Sequence, residues 1–162
     1  MTEVEFHFNV GDKLDYSCRL LRKAHAGGAK LLVTADPVML AQLDQMLWTL
    51  SATEFLPHCR SDAPPATLAL SAIVLAASAL EPDLEGRAMG VLVNLGQDVP
   101  QGFESFERFI EIVSSAPDDR QAGRQRWNHY KQRGYALKAH DRTAGAQSAS
   151  GAQSASGAQS QN

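Results

Sequence analysis

The chain has 162 residues, 44% of them apolar, and a formal charge of −3. That is core enough for one domain of ordinary size, and too little positive charge for a protein that coats nucleic acid over a broad surface. No apolar run reaches the length of a bilayer-spanning helix, MTEVEFHFNV lacks the charged start and apolar middle of a secretory leader, and Cys18 and Cys59 form no CxxC, so a reducing cytoplasm is expected.

Val4, Phe6, Phe8 and Val10 alternate with Glu5, His7 and Asn9, which is the period-two pattern of a strand with one apolar face. Asp12 stands where it can cap a helix, with Asp15 near the positive helix end. Leu14, Cys18 and Leu21, with Tyr16 and Leu20 beside them, supply its buried stripe, and Gly27-Gly28 ends it. Lys30 to Ala35 is a continuous apolar strand, the pattern of a strand covered on both faces. Asp36-Pro37 provides the cap and first residue of a second helix, in which Leu40, Leu43, Leu47 and Trp48 repeat at helical spacing with Asp44 outside.

Strand, helix, strand, helix is the start of an α/β sheet with right-handed crossovers. Ser51 to Pro65 reads as a loop carrying Phe55, Leu56, Pro57 and His58. The apolar run Leu68 to Leu80 predicts a buried strand with its approach, the strand itself at Ile73 to Ala77. Residues 81–88 form a turn region, Gly90 to Leu95 a fourth strand closed by Gly96, Pro100 to Phe106 a bend or short helix, and Phe109 to Val113 a fifth strand. Asp118 or Asp119 can cap a last helix that runs to about Arg133, before Gly134. After Thr143 come GAQSAS, GAQSAS and GAQSQN, with no apolar anchor and no charge. Such a segment cannot offset the entropy of ordering, so residues 143–162 are expected to be a disordered tail on a domain of residues 1–142.

The last helix and its sequel carry the strongest signal. From Asp118 to Arg142 the chain holds seven of its fifteen basic residues and three of its eighteen acidic ones, leaving this segment at +4 and the rest at −7. Trp127, Tyr130 and Tyr135 are threaded among the cations. Arg120, Arg124, Trp127 and Lys131 follow at steps of four, three and four, which puts them on one helix face. A cationic, aromatic helix on an acidic body suits an anionic partner. The bland alternative is a solvated charged face with Trp127 in the core.

VEFHFNV, then DKLDYSCRLLRKA, LD-x-x-LW and FLPH, then VNLG, P-x-x-F-x-x-F, EIV and R-x-R-W-x-x-Y-x-x-x-G-Y form one ordered series over residues 2–142. The series resembles the chi subunit of bacterial DNA polymerase III holoenzyme, an accessory protein of the clamp loader. The resemblance implies a three-layer α/β/α sandwich, Rossmann-like but without a nucleotide site, on a mostly parallel sheet of the five strands read above. It implies a non-catalytic replisome adaptor acting in DNA replication and repair, monomeric or in a 1:1 heterodimer, with nucleic acid met only indirectly and no membrane. Two partners follow from it: the acidic C-terminal tail of single-stranded DNA-binding protein, ending in an aromatic residue with a free carboxylate, and the psi subunit that links chi to the clamp loader. A repair helicase could use the psi surface instead. The positions matching the tail site are Arg120, Arg124, Trp127 and Asn128; Asn128 stands where the family often has a basic residue, and Lys131 or Arg126 could supply the charge. Phe55 and Val113 match the psi interface, although an aromatic in a loop can equally fold back on the core.

Other chemistry is not expected. His7, His25, His58, His129 and His140 show no HExxH or H-x-x-E-H spacing, so no metal site is read, and His58 fits a turn hydrogen bond better than a base. There is no G-x-S-x-G elbow. NVGDKLD has one glycine where a dinucleotide or phosphate loop needs more, so no cofactor is expected. Asp12, Asp15 and Asp36 read as caps rather than paired catalytic carboxylates. A nucleotide-dependent α/β enzyme and a direct single-stranded DNA binder are the competing readings.

Overall fold

The computed structural model describes residues 2–50, 55–84, 86–87 and 89–143. Seven strands make one sheet in which every pair is parallel: β1 (Glu3–Val10), β2 (Leu31–Thr34), β3 (His58–Arg60), β4 (Ile73–Ala76), β5 (Val91–Asn94), β6 (Arg108–Ser114) and β7 (Leu137–Asp141), in the order β3-β4-β2-β5-β6-β1-β7. Parallel neighbours need crossovers, and four helices supply part of them: α1 (Lys13–Ala26), α2 (Pro37–Thr49), α3 (Pro65–Leu70) and α4 (Pro117–Gln132).

Alternation along each strand divides the core in two. Leu31, Val33, Ile73, Leu75, Val93 and Ile110 pack with Cys18 and Leu21 of α1 and Leu40, Leu43 and Leu47 of α2. Val4, Phe6, Leu32, Val74, Leu92 and Phe109 pack with Leu68 of α3, Phe103 and Tyr130 of α4. A sheet with helices on both faces is the expected three-layer sandwich, and it explains why β2, β4 and β5 are buried along their whole length. No described helix is long and apolar enough to cross a membrane.

The caps of the first two helices are as read. Asp12 accepts a hydrogen bond from the Asp15 N–H at 3.0 Å, and Asp36 accepts one from the Met39 N–H at 2.9 Å. Gly28, at φ 87°, takes the left-handed conformation that follows the end of α1. Asp15, one turn in, also meets Arg19 at 3.0 Å.

The sequence reading of the sheet needs correction in number: the described residues form seven strands, not five, and every pair among them is parallel. Both extra strands are edges, one too short and the other too exposed to write a pattern into the sequence. β3 is three residues inside the segment read as a loop, and β7 is largely exposed and pairs with β1 alone. The approach to β4 is a six-residue helix opened by Pro65. Trp48 shares the helical spacing of Leu40, Leu43 and Leu47 but is 57% exposed, because those three leucines already fill the sheet-facing side. The N-cap of α4 is Ala116, with Pro117 at the first helical position, so neither Asp118 nor Asp119 is the cap. Asp119 instead turns back to accept the Ser114 N–H at 2.7 Å and Lys13 Nζ at 2.9 Å. The GAQSAS repeats lie in residues 144–162, outside the described residues.

Candidate functional site

Helix α4 lies over β6 and β1 and has two sharply different faces. Asp119, Gly123, Arg126 and Tyr130 are buried at helical spacing. Arg120 and Arg124 are exposed, and Trp127 stands half-buried between the two faces. The helix can lie this close because residue 123 is glycine. A Cβ there would sit 2.9 Å from both methyl groups of Val113, closer than packed side chains come.

A buried polar network fixes the helix in rotation. Glu111 on β6 is fully buried; it accepts Arg126 Nε at 2.9 Å, the Tyr130 hydroxyl, and Asn94 Nδ2 at 2.9 Å. Arg126 Nη1 also donates to the Gln97 carbonyl at 2.7 Å. Burial raises the Glu111 pKa while Arg126 pulls against that rise. Burial and the adjoining carboxylate push the Tyr130 hydroxyl up, so it stays a donor. Arg126 is therefore spent inside the chain and cannot serve as the exposed charge considered for it beside Asn128.

Above Val113 the result is an apolar groove of about 320 Å³. Phe6, Phe8, Val113 and Ala139 line it together with Trp127 and Gly123, and Arg120, Arg124 and Asn9 complete the lining. Trp127 meets Phe6 edge-on with centroids 5.1 Å apart, so the indole serves the core on one side and the groove on the other. Among the described residues no carboxylate lines the groove, and neither Arg120 nor Arg124 has an ion pair. Two guanidinium forks over an apolar floor suit a ligand with a carboxylate next to a ring.

The structure thus brings Arg120, Arg124 and Trp127 together. Asn128 and Lys131 are exposed on the same helix but do not line the groove. Val113, read with Phe55 as a second surface, forms part of the groove floor. Phe55 stands away from it, just before β3 at the far edge of the sheet and 63% exposed. Its ring is 5.5 Å from Trp48, which in turn is 4.7 Å from His58. Phe55 is thus part of an exposed aromatic patch rather than of the core. His58 is the hydrogen bonder expected of it: Nδ1 meets the Leu56 carbonyl at 2.7 Å, and Nε2 lies 3.3 Å from Asp44 Oδ1. Sequence reasoning missed Phe6, Phe8, Asn9, Gly123 and Ala139 as groove residues. Gly123 gave a usable signal, being a glycine inside a helix; the strand residues gave none that separates a groove floor from core.

The crevice at the carboxyl ends of the strands, where open α/β sheets often bind ligands, has a different character. Its cavity of about 1010 Å³ is lined by Asp12, Asp36, Asp98 and Asp119. The lysine there, Lys13, is already paired with Asp119 at 2.9 Å, and the α1 and α2 N-termini are capped by their own aspartates. Such a lining repels phosphate.

Residues 1–138 match the family model described as "DNA polymerase III chi subunit, HolC". The chain is also 32% identical over 148 residues to the DNA polymerase III subunit chi of Pseudomonas aeruginosa, an alignment that covers 86% of this chain and 96% of that protein.

Proposed function

Because the chain belongs to the DNA polymerase III chi subunit family, accessory subunits of the replisome that replicates DNA, we propose that it is a non-catalytic cytoplasmic adaptor whose groove under α4 takes the acidic C-terminal tail of single-stranded DNA-binding protein. The observation that carries this reading is the pairing of Arg120 and Arg124, both exposed, with an apolar floor that no carboxylate lines. The terminal aromatic ring enters beside Trp127, Phe8 and Val113, one or both guanidinium groups hold the chain-end carboxylate, and the tail's aspartates stay in water under the field of the remaining cations. The exposed Trp48–Phe55 patch at the opposite edge is then free for the psi subunit or a repair helicase, in a 1:1 complex.

The test is a titration of the full chain with a short acidic peptide ending in a free aromatic residue, and separately with a single-stranded oligonucleotide. The adaptor binds the peptide, loses it when the terminal carboxylate is amidated, and ignores the oligonucleotide. Binding of the oligonucleotide alone would replace this reading with direct DNA binding. A nucleotide-dependent enzyme is disfavoured by the four aspartates in the sheet-end crevice.

A further inference from the structure

On the other face of the β1–β7 edge, three potential ligand groups converge. Glu5 and His7 are two apart on β1 and so point to one side, and the parallel register sets His140 of β7 directly beside His7. Glu5 Oε1 lies 3.4 Å from His7 Nε2 and 3.7 Å from His140 Nε2, and one ligand atom from each residue falls within 4.8 Å of the other two. The Glu5 and His7 side chains are buried; that of His140 is 38% exposed and gives the cluster its opening to solvent.

We propose that Glu5, His7 and His140 form a binding site for a divalent transition-metal ion, Zn²⁺ first among them. Two imidazole nitrogens and one carboxylate oxygen are a donor set that zinc accepts with its fourth position left to water. Bonds of about 2.0–2.2 Å in tetrahedral geometry place donors about 3.3–3.6 Å apart, which the two Glu5 distances already approach. The surroundings are those of an oriented site. The Tyr16 hydroxyl holds His7 Nδ1, which directs Nε2 inward, and Arg108 Nε holds the other carboxylate oxygen, Oε2, at 2.9 Å. Arg108 Nη2 also reaches Oε1 at 3.3 Å, and Arg142 borders the same cavity. These positive charges weaken the binding of any cation, and one carboxylate beside two imidazoles offers too few oxygen ligands for Mg²⁺ or Ca²⁺. A Zn²⁺ site that staples β7, an edge strand paired on one side, to β1 is the result. Its ligands come from two strands far apart in the chain, so no local spacing motif announces it.

The test uses the full chain after treatment with a chelator, titrated with Zn²⁺ alone by calorimetry. One ion binds per chain and the melting temperature rises; Co²⁺ in its place gives the visible absorption of a four-coordinate site. His140→Ala removes a half-exposed ligand without opening the core and weakens Zn²⁺ binding by at least about 10-fold, Tyr16→Phe by about 10-fold, and His25→Ala leaves it unchanged. Unchanged affinity in His140→Ala, or no heat of binding with Zn²⁺ in excess, overturns the site.

Discussion

Arg124 presents a fork that can engage both oxygens of a carboxylate at once, and in the free chain no acidic side chain competes for it within the groove. Replacing it with alanine should weaken binding of the acidic peptide by about 1.5–3 kcal/mol, the scale of a hydrogen bond to a charged group. Calorimetry checks this, and Arg124→Lys should recover only part of the loss, since a point charge cannot reproduce the fork. Gly123 acts at the same scale but through packing. In Gly123→Ala the helix gains about 1 kcal/mol of propensity, while the new methyl group presses on both Val113 methyls from 2.9 Å. Overpacking of that kind costs about 1–3 kcal/mol. The second effect should win: chemical denaturation should show a net loss of about 1 kcal/mol, and the peptide should bind less well because Val113 is pushed into the groove floor.

At the scale of elements, the start of α4 is tied to α1 and β6 by one carboxylate. Burial would raise the Asp119 pKa, but Lys13 and the Ser114 N–H outweigh burial and hold it below the usual 3.8. A folded-state pKa below the unfolded one means that the stabilisation is complete above about pH 3.8 and is lost as the pH falls through the folded value. Asp119→Asn should therefore be less stable than the native chain by about 1.5–3 kcal/mol at pH 7, and the gap should close as the solution is taken below pH 3.8. Urea denaturation at both ends of that range measures it, and a gap independent of pH would reject the ionic role. The same helix shows what the sequence made legible. Arg120, Arg124 and Trp127 could be placed together because one helix carries them at fixed angular steps. Val113, Phe8 and Ala139 could not, because they reach the groove through strand order. The strand that completes that order, β7, is a short and largely exposed edge with no alternation to read, and the opposite edge, β3, is only three residues long. The helix ends were legible where an aspartate caps its own backbone, at Asp12 and Asp36. The reading failed at α4, where the capping position is held by an alanine before a proline and the aspartate bonds backwards.

Over the whole molecule the charge is divided: +4 between Asp118 and Arg142, −7 elsewhere. An acidic peptide is thus attracted by one segment and repelled by the rest, and ionic strength decides which it feels. A domain of this size has a radius of gyration of about 14 Å. At 0.01 M salt the screening length is about 30 Å, so an approaching peptide senses the entire chain, whose net charge is −3. At 0.1 M the length shrinks to about 10 Å and only charges near the groove act; at 1 M it is about 3 Å and even those are masked. The association rate should therefore rise from 0.01 to 0.1 M and fall again towards 1 M, while dissociation, governed by the desolvated contacts around Trp127 and Arg124, changes much less. Stopped-flow measurement of the acidic peptide across that range checks the argument. A rate that only falls with salt would mean that the acidic body exerts no field at the groove, and that the cations of α4 alone steer the encounter.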